Sequence, residues 1–235
     1  MGSTSRPSNQ FLMALPDADF ELIRPCLRAA ALTHQSVLVR AGEPLRQVYF
    51  PHSGIISLVV RLAQGETVEA AMIGSDSIFG GATALNGGIA LNEAIIQLPG
   101  AASVLDVADL RRAAEQSAPL RATLIRHEQA LMRQALQSAA CNASHTVEAR
   151  LSRWLLRARD LSDSDRLMLT QEFLAQMLGV QRSSVSVVAN TLQRAGLIRY
   201  ARGQIEITHI DGLQGAACEC YEAVKAQYDR LRAEA

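Results

Sequence analysis

An apolar, helix-periodic run is interrupted by one glycine and resumes at once. The stretch is Leu169 to Thr208, "LTQEFLAQMLGVQRSSVSVVANTLQRAGLIRYARGQIEIT", and the interruption is Gly179. Thr170 can cap a first helix through its hydroxyl, with Gln171 as the first helical position. From there Ala175 is fifth, Gly179 ninth, and Val180, Val185 and Val188 fall tenth, fifteenth and eighteenth. Two helices crossing steeply need a small side chain where they touch, which Ala175 supplies. The short turn between them needs a positive φ, which glycine adopts at little cost. Leu174, Leu178, Val180, Val185, Val188 and Leu192 would close the core between the two helices. The pattern predicts a helix-turn-helix.

The second helix carries an opposite stripe. Ser183, Ser186, Val187 and Asn190 would face outward, with Arg182 at the helix start. Residues at the start of such a helix reach base edges in the major groove. Arg182 suits guanine, Asn190 adenine, the serines either partner, and Val187 a thymine methyl. Thr170, Gln171 and Arg202 are placed for phosphates, which fix register rather than sequence. "GLIRYARGQIEIT" then alternates about a tight turn at Arg202-Gly203, so Leu197 to Tyr200 and Gln204 to Thr208 would pair as a two-stranded wing. Between Arg166 and His209 five arginines stand against two glutamates, the local basic surplus that nucleic-acid binding requires.

Upstream the texture changes twice. From Ser36 to about Leu105 short runs rich in Val, Ile and Leu alternate with turns at Gly42, Gly54, Gly65, Gly74 and Gly87-Gly88. Close strand spacing of this kind favours an antiparallel barrel or sandwich. A short helical lead-in, Asp17 to Ala31, precedes it. From Asp106 to Leu161 the chain reads as helical, with Pro119 suited to a first turn. One apolar stripe there is Leu120, Leu124, Leu131 and Ala135; another is Ile125, Met132, Leu136 and Ala140. A helix with two apolar faces covers two things: its own barrel and the same helix of a second subunit, unless it is buried whole in a monomer. The first stripe is assigned to the dimer contact. "CNASH", Cys141 to His145, reads as a hinge, and "SDSDR" at Ser162 to Arg166 as a loop.

Composition narrows the function classes. Charge is balanced, 23 basic against 23 acidic residues, with Lys225 the only lysine. Cys26, Cys141, Cys218 and Cys220 form no CxxC pair, and Cys218 and Cys220, two apart in an expected helix, would point apart. They read as reduced thiols, and no metal site is expected. His34, His52, His127, His145 and His209 are scattered, which argues against haem. No nucleophile–base spacing or phosphate-cradling loop is present, and Glu66 and Glu69 read as solvated strand residues, so no catalytic residues are assigned. "MGSTSR" at the start is a weak lipidation-like context, better read as a leader remnant. With no apolar span, the chain is expected to be soluble and cytoplasmic.

The order of glycine-punctuated barrel, long helix and winged helix-turn-helix resembles the Crp/Fnr superfamily of bacterial transcription regulators. The resemblance covers about Asp17 to Thr208. It is most specific in "LTQEFLAQMLGVQRSSVSVVANTLQRAGLI" and next in "AGEPLRQVYFPHSGIISLVV" with "GSDSIFGG". It implies an α+β chain: an antiparallel jelly-roll barrel as sensor (17–117) after a flexible tail (1–16), a dimerisation helix and hinge (118–145), and a winged helix-turn-helix (146–235). It also implies a homodimer on palindromic double-stranded DNA, with half-sites about one DNA turn apart, and contact with RNA polymerase. A ligand-binding or scaffold protein whose helix-turn-helix docks a protein is the alternative.

Departures from the family pattern bear on mechanism. Members that bind cyclic AMP carry Phe-Gly-Glu in the pocket loop and an Arg-Ser or Arg-Thr pair for the cyclic phosphate. Here Phe79 and Gly80 are followed by Gly81, and Asn92-Glu93 stand near the Arg-Ser place. Loss of the Arg removes a charge-assisted contact, and Glu93 would repel phosphate, so cyclic nucleotides are not expected to bind in the usual way. No cofactor is predicted, and the effector is left open. Members that read TGTGA carry Arg-Glu and a second Arg, where this chain has Arg182, Ser183 and Val187; its operator should differ.

Overall fold

The computed structural model describes residues 6–233. The leader motif and the first part of the expected tail, residues 1–5, lie outside the described residues. The rest of that tail is anchored, which corrects the flexible segment expected to residue 16. Helix α1 (Gln10–Ala14) is capped by Asn9, whose Nδ2 donates to the Pro51 and Ser77 carbonyls at 2.8 and 2.9 Å. Phe11 and Leu12 are wholly buried. Helix α2 (Asp17–Ile23) stops before Pro25, so the lead-in helix does not run on to Ala31.

Arg28–Leu32 is instead strand β1. The alanine-rich run has weak strand preference of its own, and pairing in a sheet overrides it. Then come β2 (Val37–Val39), β3 (Gln47–Pro51), β4 (Ile55–Arg61), β5 (Thr67–Ile73), β6 (Glu93–Leu98) and β7 (Gly100–Asp106). They make two antiparallel sheets, β1-β7-β3 and β2-β6-β4-β5, facing each other as a jelly-roll-like sandwich around Phe50, Ile56, Ile73, Ile96 and Leu105. Pro99 has no N–H for a ladder, and there the chain leaves one sheet for the other. Gly54 permits that corner: it has φ 79°, and a Cβ on it would lie 2.6 Å from the Leu98 carbonyl.

Two short helices, α3 (Gly81–Leu85) and α4 (Val107–Gln116), precede the long helix α5 (Ala118–Ser144). Ser117 caps α5, its Oγ accepting from Leu120 N at 3.0 Å, and Pro119 lies in the first turn. The helix continues through Ser144, so the expected hinge over Cys141–His145 narrows to His145 and Thr146, both extended. Thr146 then caps α6 (Val147–Ser162). Downstream are β8 (Arg166–Met168), α7 (Gln171–Leu178), α8 (Arg182–Arg194), β9 (Ile198–Ala201), β10 (Gln204–Ile207), α9 (Ile210–Ala216) and α10 (Cys220–Ala233). The wing has a third strand that the loop reading missed: the sheet order is β8-β10-β9.

Helix α6 joins the winged module to the sandwich. Leu151, Trp154 and Leu155 share one core with Ile55, Val59, Met72 and Leu98 of the four-stranded sheet. Gly74 opens the turn expected there, its carbonyl accepting from Ser77 N at 3.1 Å, and a Cβ on it would lie 2.8 Å from Leu161, so it also permits α6 to approach. Arg157 pairs with Asp76 at 2.7 Å, both buried, and lies 4.6 Å over the Tyr228 ring. Glu69 is buried rather than solvated, accepting from Trp154 Nε1 at 3.0 Å. Helix α10 runs back along α5, packing Val224 and Tyr228 on Ala130. On α5, Gln134 accepts from Met72 N at 2.8 Å and donates to the Met72 carbonyl at 3.1 Å and to Tyr228 Oη at 2.9 Å. No described helix is long and apolar enough to cross a membrane.

Candidate nucleic-acid interface and sensor cavity

Thr170 Oγ1 accepts from Phe173 N at 3.1 Å, and α7 ends at Gly179 in the left-handed region, φ 61° and ψ 43°. Gly179 is held from a second side as well: a Cβ there would meet the Val68 side chain of β5 at 3.2 Å. Leu174, Ala175, Leu178, Val185 and Leu192 are buried, and Val180 and Val188 pack on them half-buried. The turn chemistry read from the sequence is therefore the geometry present. On the outer side of α8, Arg182, Ser183, Val187 and Asn190 are exposed, Val187 to 67 %. Ser186 is half-buried, its Oγ 2.6 Å from Gln171 Oε1 and 3.0 Å from the Arg182 carbonyl. That contact fixes α7 against α8 and holds Ser186 and Gln171 on each other. Gln181 at the N-cap makes no side-chain cap bond; its carbonyl accepts from Ser184 N at 3.0 Å.

The wing turn carries Arg202 and Gly203 with φ 50° and 76°, as a tight hairpin with two positive-φ positions requires. Arg202 is exposed. Arg166 and Arg199 both reach Glu206, at 3.3 and 3.1 Å, so part of the basic surplus is already neutralised. Arg182 lies 3.9 Å from Glu172, with both side chains exposed.

A small cavity, where the effector pocket is expected, lies between the sandwich and α5, lined by Leu58, Phe79, Thr83, Asn92, Glu128 and Leu131 among others. Gly80 takes φ 87° and caps α3. A Cβ on Gly81 would sit 3.1 Å from Leu124, so this position is filled by α5 rather than open to a ribose. Glu93 does not line the cavity. Its carboxylate pairs with Arg61 at 2.6 Å across the β4–β6 ladder, which corrects the repulsive role expected for it. The cavity lining carries Glu128 and no basic side chain, a poor match for a cyclic phosphate.

The assigned dimer stripe is corrected. Leu120, Leu124 and Leu131 are buried in the core of their own subunit, and Ala135 is half-buried. The other stripe is the free one: Ile125, Met132 and Leu136 are 50, 61 and 64 % exposed. Periodicity showed two faces but could not say which one the sandwich covers.

Sequence spacing also missed two constellations. Ser57, Glu69 and Trp154 meet across the sandwich–α6 boundary, with Ser57 Oγ 2.6 Å from Glu69 Oε2. Desolvation pushes the Glu69 carboxyl up to about 7, against hydrogen bonds from Ser57 and Trp154 and the charges of Arg153 and Arg157. Cys218 precedes α10 rather than lying in it, so its thiol and that of Cys220 converge with Cys141 and His145. The other histidines are engaged elsewhere: His34 with the Gln97 carbonyl, His52 with Ser103, His127 with Ser77, and His209 as the cap of α9.

Residues 31–117 match the model of the cyclic nucleotide-binding domain, and residues 149–216 that of the Crp-like helix-turn-helix domain. No curated protein matches the chain. Among solved structures, FixK2 from Bradyrhizobium japonicum is similar with a TM-score of 0.69 and 18 % identity, over 82 % of this chain and 98 % of its own. A crp/fnr-family regulator from Eubacterium rectale gives 0.68 and 14 % over 89 % and 98 %. A CRP-family regulator from Thermus thermophilus gives 0.65 and 23 % over 81 % and 99 %. At these identities the likeness speaks for the fold, and the two domain matches, in this order along one chain, supply the rest. The chain belongs to the Crp/Fnr family of transcription regulators.

Proposed function

We propose that this protein is a homodimeric, sequence-specific DNA-binding regulator whose amino-terminal sandwich senses an effector other than a cyclic nucleotide bound in the usual way. The observation that carries the reading is the outer face of α8, where Arg182, Ser183, Val187 and Asn190 are exposed on a helix positioned by Gly179. Arg182, Ser183 and Asn190 read base edges and Val187 a thymine methyl. Ser186 aligns Gln171, and Thr170, Gln171 and Arg202 meet phosphates. The sensor spans 17–117, the helix and joint 118–145, and the DNA-binding module the residues after them. Contact with RNA polymerase belongs to the same reading.

Dimerisation uses Ile125, Met132 and Leu136, because these large apolar side chains have no cover among the described residues. Two recognition helices would then enter successive major grooves of a palindrome. An effector that favours one spacing of the two helices would shift the DNA-competent population.

The test is selection from a randomised duplex pool, followed by affinity at rising salt. A palindromic consensus is expected, with affinity falling steeply between about 50 and 200 mM salt as counterions are released. A folded protein with no salt-sensitive preference for any duplex would refute the reading and favour a protein-docking role. Leu136→Asp is expected to give monomers by sedimentation with an unchanged circular dichroism spectrum. A retained dimer would move the interface elsewhere.

A further inference from the structure

Three thiols and an imidazole from distant parts of the chain meet where α5 ends and α10 begins. His145 caps the end of α5, its N–H donating to the Cys141 carbonyl at 3.0 Å, which brings the two residues together. Cys218 lies in the connector after α9, and Cys220 opens α10. Cys141 Sγ is 3.5 Å from Cys218 Sγ, and Cys220 Sγ is 3.6 Å from His145 Nδ1. All four donor atoms lie within 4.8 Å of one another. A tetrahedral zinc ion, with bonds of about 2.3 Å to sulfur and about 2.0 Å to nitrogen, sets edges of about 3.8 Å between sulfurs and about 3.5 Å from sulfur to nitrogen. The Cys141–Cys218 and Cys220–His145 pairs lie within about 0.3 Å of those separations.

A plain thiol core would account for Cys141, Cys218 and Cys220, which pack together against Ala149. It does not account for His145. The imidazole turns Nδ1 to Cys220 and sets Nε2 3.2 Å from the Glu219 carboxylate. Metal-bound histidines are oriented this way, with the second ring N–H given to a carboxylate. Charge supplies a further argument. Arg150 and Arg153 are buried beside the cluster, each with an Nε that has no hydrogen-bond partner, and Cys141 feels the charge of Arg153. Guanidinium groups are costly to bury beside neutral thiols. Three thiolates around a divalent ion carry one net negative charge, which these cations would offset.

We propose that Cys141, His145, Cys218 and Cys220 form a closed Cys₃His site for a borderline-soft divalent cation of the zinc class. Each thiol gives its proton to solvent as its sulfur–metal bond forms, His145 binds as neutral imidazole, and no electron is transferred. Four protein ligands leave no open position, so the ion acts as a clamp rather than a catalyst. The half-exposed side of His145 and the exposed Glu219 give the ion an entry path. The clamp would tie the end of α5 to the start of α10 within the winged module, across the break at His145 and Thr146. Arg150 also donates to the Leu178 carbonyl, next to Gly179, so the clamped joint reaches the turn that aims α8. An effect on DNA rests on the function proposed above; ion binding does not.

The experiment is titration of the metal-free, reduced full-length chain with Co²⁺, read by thiolate charge-transfer and tetrahedral d–d absorption, then displacement by Zn²⁺. One ion per chain is expected. Cys218→Ser should abolish the tetrahedral spectrum, and Glu219→Gln should weaken binding about 10-fold. Cys26→Ser, outside the cluster, should change nothing. His145→Ala alters a half-exposed position and serves where a buried cysteine variant fails to fold; it should shift the spectrum and lower affinity. No tetrahedral absorption, a spectrum unchanged in His145→Ala, or loss of binding in Cys26→Ser would overturn the site. A Cys141–Cys218 disulfide as the only chemistry of the cluster, with no ion bound after reduction, would overturn it too.

Discussion

The winged module has two polar faces of opposite character. Where α6 meets the sandwich, two buried sets are paired, Asp76 with Arg157 and Glu69 with Trp154 and Ser57, while Nε of Arg150 and of Arg153 stay unpartnered. On α8, Arg182, Ser183 and Asn190 stand in solvent, and the nearest acidic neighbour of Arg182 is 3.9 Å away. A buried polar group without a partner costs free energy, so the matched set on α6 specifies where the module docks. An exposed group has no such demand and keeps its donors for a ligand. On the function proposed above, the difference separates residues that place the reader from residues that would read.

The largest expected effect is on the docking side. Trp154 is 1 % exposed and spans the boundary between sandwich and wing. Trp154→Ala should lower unfolding stability by about 3–5 kcal/mol, the cost of a large aromatic removed from a core. A loss under about 1 kcal/mol in urea melts would mean that the two bodies hardly depend on each other.

Next comes the pH dependence of Glu69. Its folded pKa is raised by desolvation to about 7, so the folded state holds a proton that the unfolded state releases. Stability from this group is present below the ordinary carboxylate range and is lost as pH rises toward 7. Ser57 Oγ lies against both Glu69 Oε2 and Gln97 Oε1. Its single proton can serve only one of these acceptors, and a protonated Glu69 supplies the other bond. Glu69→Gln should flatten the loss between about pH 4.5 and 7 by on the order of 2–3 kcal/mol, as measured by unfolding at stepped pH. Parallel stability curves for the two proteins would show that Glu69 titrates normally.

On the reading side, Arg182→Ala should weaken binding to the selected operator by about 1–3 kcal/mol and relax preference at one base position. Its unfolding midpoint should stay within the ordinary range of surface substitutions. Equal losses on specific and random duplex would demote Arg182 to a phosphate contact. Smallest is Arg202→Ala on the wing, which should lower the salt slope of binding by about one and leave sequence preference unchanged. A changed consensus in repeated selection would instead place the wing at base edges.

What could be read from the sequence was local. Thr170, Ala175 and Gly179 announce a helix-turn-helix because cap, small contact and left-handed turn are each set by a residue type at a fixed distance. The two apolar stripes of α5 were visible as well. Their assignment was reversed, since only the packed sandwich shows that Leu120 and Leu124 face inward. Strand β1 hid in an alanine run because its partner, β7, lies far along the chain. The buried state of Glu69 and the convergence of Cys141 with Cys218 depend on segments that periodicity cannot bring together. Connectivity over long separations, rather than residue chemistry, was the missing information.

Gln134 carries one more implication. Strand β5 closes one side of its sheet, and the amide and carbonyl of Met72 that face away from β4 are both taken up by this one side chain. An unpaired strand margin invites a foreign strand to add to it. A slide of α5 by one helical turn, about 5.4 Å, would withdraw the Gln134 amide and bare that margin. On the function proposed above, a signalling motion of the long helix would have to stay shorter than the reach of one glutamine to keep that margin covered.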